Sequence, residues 1–172
     1  MPRTLALFAG LFFFAALIGA APVRAQYEES PADTYREREA EPTWTVPLRG
    51  PFMSPFGYRW GDLHSGIDVA VLGEDRVRAA FPGVVTAAGW IPNYEGYGLV
   101  VKVRHEDGIL TMYAHLASAA VRVGQEVAGG DLLGRAGCTG SCTGQHLHFE
   151  VHVRGKPVDP LRFLGDGGRT LD

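Results

Sequence analysis

The sequence predicts a mainly β fold: a compact antiparallel β-sheet domain with short hairpins and little helix. Three observations point there. From Trp44 onward short apolar runs alternate with turn residues, several of those runs are β-branched or strictly alternating, and helical periodicity is almost absent. The 23 glycines and 11 prolines among 172 residues supply many turns without reaching a low-complexity composition. With 46% apolar and 20% charged residues, the length suits one domain with its own core.

The elements follow in chain order. Leu5 to Ile18 carries no charge or amide, follows a single positive charge at Arg3, and is shorter than the roughly 20 residues of a comfortable membrane span. With the small-residue pattern Val23-Arg24-Ala25 behind it, this predicts a signal peptide over residues 1–25 and a mature chain starting at Gln26; an uncleaved membrane anchor is the alternative. No cysteine follows the cleavage site, so no lipid anchor is expected. Residues 26–43 are acidic and lack large aliphatic side chains, and read as a solvated, disordered linker. The folded domain is expected over 44–165, with a flexible tail over 166–172.

Within the domain, Val77–Ala80, Gly83–Ala87, Leu99–Arg104 and Ile109–Tyr113 read as strands. Pro82-Gly83 lies between the first two and Glu106-Asp107-Gly108 between the last two, which predicts two hairpins. Shorter strands are expected over 121–127 and 130–134, and helical turns at 116–120 and 160–164. The last long strand, Gln145 to Val153, alternates strictly. His146, His148, Glu150 and His152 share one face, and Leu147, Phe149, Val151 and Val153 the other, so one face is polar and one is core.

The charge balance excludes one class of partner. Sixteen basic residues against 19 acidic ones, a net charge of −3, leave no positive excess to neutralise a phosphate backbone, so nucleic acid is not expected.

Three of the six histidines lie on that one strand face, and His64 stands four residues before Asp68. Imidazole and carboxylate together suit zinc, and a catalytic zinc site keeps one position open beside three protein ligands. Water bound there becomes a nucleophile near neutral pH, and further histidines can take its proton or stabilise an oxyanion. His115, just after an apolar strand, is placed for such work. His105 reads as a surface or hydrogen-bonded structural residue and His152 as solvated. Spacing alone does not say which histidine binds metal. Cys138 and Cys142, separated by three residues in a chain expected to be exported, are expected to bridge, against two free thiols or a thiolate metal pair that lacks further partners.

Four motifs, Ser54-Pro55-Phe56-Gly57-Tyr58-Arg59, His64-Ser65-Gly66-Ile67-Asp68, Tyr113-Ala114-His115-Leu116 and Thr143-Gly144-Gln145-His146-Leu147-His148-Phe149-Glu150, together resemble the lysostaphin-type, or LytM-like, zinc metallopeptidases. The order and spacing match over about Val46 to Leu164. The resemblance implies a barrel-sandwich-type β domain, one zinc ion held by His64, Asp68 and His148, and catalytic roles for His115 and His146. His146 would be general base or proton shuttle and His115 would stabilise the oxyanion, with the division between them left open. Tyr58 is a weaker candidate for the cleft wall, Glu150 either orients a histidine or forms a strand salt bridge, and the loop Trp90 to Gly98 would form a groove wall.

The implied substrate is the peptide of peptidoglycan, met outside the cytoplasmic membrane, with the periplasm favoured over secretion. No stable membrane association is expected after signal removal, and a monomer is favoured. The cysteine pair departs from the small polar residues common in that family and would brace the loop entering the last strand. A second reading is a catalytically silent module that binds wall and activates another hydrolase; such members lose ligands or catalytic histidines, and all five residues stand here. A lipoyl- or biotinyl-like carrier, suggested by the glycine turns at 124–134, needs a lysine on a hairpin tip, and neither Lys102 nor Lys156 fits.

Overall fold

The structure, a computed structural model, describes residues 43–59 and 61–164. The expected signal peptide, nearly all of the linker and the tail lie outside the described residues. Among the described residues twelve strands and one α-helical turn occur in the order β1 (Phe52–Ser54), β2 (Gly57–Arg59), β3 (Asp62–His64), β4 (Ile67–Ala70), β5 (Arg76–Arg78), β6 (Gly83–Trp90), β7 (Leu99–Arg104), β8 (Ile109–Ala119), β9 (Glu126–Val127), β10 (Leu132–Ala136), β11 (His146–Val153), β12 (Lys156–Val158) and α1 (Leu161–Leu164), with short 3-10 turns at Glu95–Tyr97 and Glu106–Gly108. The fold is mainly β and antiparallel, as its turn-punctuated sequence predicts.

One ten-stranded sheet runs β1-β4-β11-β8-β7-β6-β9, with β10 bridging β5 and β8 and β12 pairing β11; β2 and β3 form a separate hairpin. The interior is built by alternation. Ile67 and Val69 of β4, Val101 and Val103 of β7, Tyr113 of β8 and Leu147, Phe149 and Val151 of β11 point into one apolar cluster. Fully burying each such side chain contributes about 1.5–3 kcal/mol against leaving it in water. The opposite face of β11 is thereby left for His146, His148, Glu150 and His152, as the alternation requires.

Two local expectations fail for non-local reasons. The hairpin joining β5 to β6 does not form: the Arg78 and Ala79 amides donate to the carbonyls of Pro47 and Asp131, and β5 pairs with β10 instead. The helical turn expected at 116–120 is strand. There Leu116 pairs with Leu99 on one side and Ala136 on the other, so two ladders override a weak local preference. The expected strand over 121–127 shrinks to β9, and that over 130–134 lies two residues later, as β10. The hairpin between β7 and β8 and the helical turn near 160–164 form as predicted.

A buried polar chain crosses this core. The Tyr113 hydroxyl accepts the Ala80 amide at 2.8 Å and is hydrogen-bonded to Thr111 Oγ1, which meets His105 Nε2 at 2.9 Å; His105 Nδ1 donates to the Pro82 carbonyl at 2.7 Å. Burial keeps His105 below its ordinary pKa, and therefore neutral. His105 is a structural residue, tied in on both ring nitrogens. Replacing Tyr113 with Phe removes the acceptor of a buried amide. We expect Tyr113→Phe to lose about 1–3 kcal/mol of stability, read from the urea unfolding midpoint, with metal content unchanged.

Candidate metal centre and active site

The site is assembled by strand register. Asp68 of β4 lies directly opposite His148 of β11, so their side chains leave the sheet on the same face. His64 ends β3, and Gly66 lets the connecting chain pass over β11: a Cβ at that position would fall 2.3 Å from the Phe149 carbonyl oxygen. Three donor atoms consequently meet. His64 Nε2 is 3.2 Å from Asp68 Oδ1 and 3.2 Å from His148 Nδ1, and His148 Nδ1 is 2.8 Å from Asp68 Oδ1. All three residues lie within the geometry that can hold a metal ion.

The outer nitrogens decide what the inner ones offer. His64 Nδ1 donates to the Pro55 carbonyl at 2.6 Å, and His148 Nε2 donates to Glu150 Oε1 at 2.9 Å. In their neutral forms both rings therefore turn a lone pair inward, toward a carboxylate oxygen that is also an acceptor. Three converging acceptors need a cation between them, and two imidazoles with one carboxylate are a donor set suited to zinc. With protons as the cations, Asp68 is held well below the carboxylate range: burial alone would raise it, but the hydrogen bonds from His148 and His64 outweigh that. Burial likewise disfavours the His148 cation, yet Asp68 and Glu150 raise its pKa to about 9.

Glu150 is 1% exposed and anchors everything behind the cluster. Besides His148, its carboxylate accepts from the Tyr97 hydroxyl at 3.0 Å, from the Ser65 hydroxyl and from His152 Nε2. Against the pull of burial, His148 and the other donors lower its pKa to about 2. Both roles weighed for Glu150 in the sequence thus coexist. His152 is partly buried against it rather than solvated.

His115 and His146 stand beside the cluster, their ring centroids 4.6 Å apart, with His146 Nε2 3.9 Å from Asp68 Oδ1. His115 Nδ1 donates to the Thr139 carbonyl and His146 Nδ1 to that of Gly144. Each keeps Nε2 for the cleft. Burial, with the neighbouring His146 and His148, lowers the His115 pKa and favours its neutral form; the Thr139 carbonyl opposes this. All five residues singled out by the motifs are therefore brought to one place. Tyr58 is not: it is 83% exposed and does not line the cleft.

The cleft has a volume of about 860 Å³. Met53, Arg59 and Leu63, Gly96 and Tyr97, and Ser141 to Thr143 line it beside the histidines and Asp68. Of the three aromatics in the 90–98 loop, Tyr97 alone faces it; Tyr94 instead lies under Lys102 Nζ at 3.7 Å. Cys138 and Cys142 are joined in a disulfide. Arg59, an unremarked cleft residue in the sequence, approaches Asp68 Oδ2 at 3.7 Å.

The family model of peptidase family M23 matches residues 62–160, the span that holds all five site residues. The chain belongs to that family. Over 115 residues it is 44% identical to the DD-carboxypeptidase/endopeptidase Mpg of Neisseria meningitidis, a match covering 63% of this chain and 26% of the relative. It is 37% identical over 122 residues to the murein hydrolase activator NlpD of Escherichia coli, covering 71% of this chain and 31% of the relative. The match thus spans a quarter to a third of the length of those two relatives. The catalytic domain of lysostaphin from Staphylococcus simulans superposes with a TM-score of 0.56 at 32% identity, covering 67% of this chain and 90% of that domain. The M23 domain here is thus of lysostaphin type.

The Glu150 network carries a prediction. Glu150→Gln preserves shape but turns one acceptor into a donor facing donors. It should weaken zinc affinity about 10- to 100-fold, measured by competition with a chromophoric chelator, while the far-ultraviolet circular dichroism stays that of the parent.

Proposed function

We propose that this M23 domain is an exported zinc-dependent endopeptidase that cuts peptide stems or cross-bridges of peptidoglycan. The observation that carries the reading is the convergence of three lone-pair donors beside two further histidines, each with its outer nitrogen fixed and its inner nitrogen facing the cleft. In this reading His64 holds zinc through Nε2, Asp68 through Oδ1 and His148 through Nδ1. The bound ion would supply Lewis acidity for the scissile carbonyl and lower the pKa of water.

The chain's own residues do the rest. His146, with its Nε2 3.9 Å from Asp68 Oδ1, takes the proton of the attacking water on Nε2 and returns it to the leaving amine. His115 rests neutral, with a lone pair at Nε2, and donates to the carbonyl oxygen only as the imidazolium, with a proton taken from solvent in the cleft and returned there when the products leave. Tyr97 and the 141–143 segment bound the groove in which an extended peptide lies. The hydrophobic N-terminal stretch, expected to be a signal peptide, and the endopeptidase name of Mpg both support action on the wall outside the cytoplasmic membrane.

The similarity to NlpD, named as a murein hydrolase activator, favours a second reading in which the domain stimulates another hydrolase. One experiment separates the two. Purified peptidoglycan of several cross-link types is treated with the zinc-loaded protein, with a chelated sample and with His146→Ala, and released fragments are identified by mass spectrometry. The peptidase reading expects release by the zinc-loaded protein alone, with His146→Ala slower by about 10²- to 10⁴-fold at unchanged zinc content. No release from any wall, together with faster release by an added murein hydrolase, makes the domain an activator.

A further inference from the structure

We infer that Thr139, in the loop closed by the Cys138–Cys142 disulfide, is a positioning residue for His115, and that this loop fixes the tautomers of both His115 and His146. The catalytic part of this inference rests on the peptidase reading; the tautomer part does not.

The starting point is strain. His115 has φ of 59°, in the left-handed region that a non-glycine residue rarely occupies and that costs it conformational energy. The cause is a β-bulge: Leu99 pairs with Leu116 while Val101 pairs with Tyr113, so three steps along β8 oppose two along β7. The extra residue turns the His115 ring out of the strand alternation and toward His146. Such a conformation persists only where its surroundings over-determine it.

Thr139 supplies that determination from both ends. Its carbonyl accepts His115 Nδ1 at 2.8 Å. Its Oγ1 donates to the Leu116 carbonyl at 2.8 Å and accepts the Leu99 amide at 3.0 Å, so one side chain spans the register pair at the edge of the bulge. The imidazole and the backbone that carries it are thereby tied to the same residue.

The loop around Thr139 is itself held in three ways. The disulfide brings the Cα atoms of Cys138 and Cys142 to 5.4 Å. Gly140, at φ of 73°, turns the chain so closely against its neighbour that a Cβ there would fall 2.4 Å from Gly98 N. The Ser141 amide donates to the Gly96 carbonyl at 2.8 Å. Two residues past the bridge, the Gly144 carbonyl accepts His146 Nδ1 at 2.7 Å. One short segment thus provides the acceptors that keep the proton on Nδ1 of both rings and leave both Nε2 atoms to the cleft. Neither strand that carries the histidines provides them.

The test uses the zinc-loaded protein with ¹⁵N-labelled histidine, reading tautomers by long-range ¹H–¹⁵N correlation, beside steady-state peptide release. The parent should have both rings protonated on Nδ1, and Thr139→Ser, which keeps the hydroxyl, should match it. Thr139→Val keeps the shape and removes both Oγ1 bonds; it should mix the His115 tautomers and lower kcat about 10- to 100-fold at unchanged KM and zinc content. A Cys138→Ser/Cys142→Ser double variant should mix the tautomers of both rings, and decides the matter alone if Thr139→Val fails to fold. Parent-like tautomers in these variants, or altered tautomers with unchanged kcat, overturn the inference. A parent that releases nothing from any wall refutes the peptidase reading instead, and the tautomer comparison still decides the role of the loop.

Discussion

The pairing of β4 with β11 is the constraint on which the site depends. Because side chains alternate with period two, the register that sets Asp68 opposite His148 also sends Leu147, Phe149 and Val151 into the core beside Ile67 and Val69. A slip of one residue would bury two histidines and a glutamate and expose the apolar set. The hydrophobic effect therefore enforces the geometry of the donor cluster. No separate device is needed to hold Asp68 and His148 together, since the same register serves stability and chemistry.

That economy carries an electrostatic cost, and the network around Glu150 offsets it. A carboxylate 1% exposed is unfavourable unless its oxygens are filled, and Ser65, Tyr97, His148 and His152 fill them. Among the described residues no buried side-chain polar atom lacks a partner. The result is a layered arrangement in which a buried anion fixes one ring, that ring turns a lone pair toward a second anion, and the space between the donors suits a cation. The Tyr97 hydroxyl also links this interior layer to the cleft wall, so the loop that lines the cleft shares hydrogen bonds with the residues behind the donor cluster.

Much of this was legible in the sequence, and its limits have physical causes. The alternation of 145–153 names the polar and apolar faces of β11 directly, because period two is a local property of the chain. The grouping of His64, Asp68, His115, His146 and His148 was legible only through motif order, since nothing local says that β3, β4, β8 and β11 converge. The failed hairpin between β5 and β6 belongs to the same class: Pro82-Gly83 permits a turn, but the Arg78 and Ala79 amides are claimed by Pro47 and Asp131. Strand 116–119 is decided by neighbours on both sides, not by its own residues. The bulge at His115 left no signal at all, as a non-glycine residue in the left-handed region looks ordinary in a sequence. His152 was misread because its partner, Glu150, lies on the same strand and is buried by residues far away in the chain.

The arrangement of the cleft separates what must be rigid from what can vary. The cluster of His64, Asp68 and His148 is set by strands whose other faces form the core, so changing it means changing the fold. The walls are different: the 94–98 and 138–144 segments contact each other through Gly98, Gly140 and the Ser141 amide, and they meet the sheet through few side chains, Thr139 and Tyr97 foremost. Loops of this kind tolerate substitution so long as the backbone acceptors stay in place. A disulfide between Cys138 and Cys142 suits that requirement, because it restrains the path of the backbone while, of the groove-lining side chains of this segment, it commits Cys142 and leaves Ser141 and Thr143 out of the bridge. In the proposed peptidase reading, specificity for a peptide can then change at Ser141 and Thr143 while the carbonyls of Thr139 and Gly144 continue to orient the two histidines.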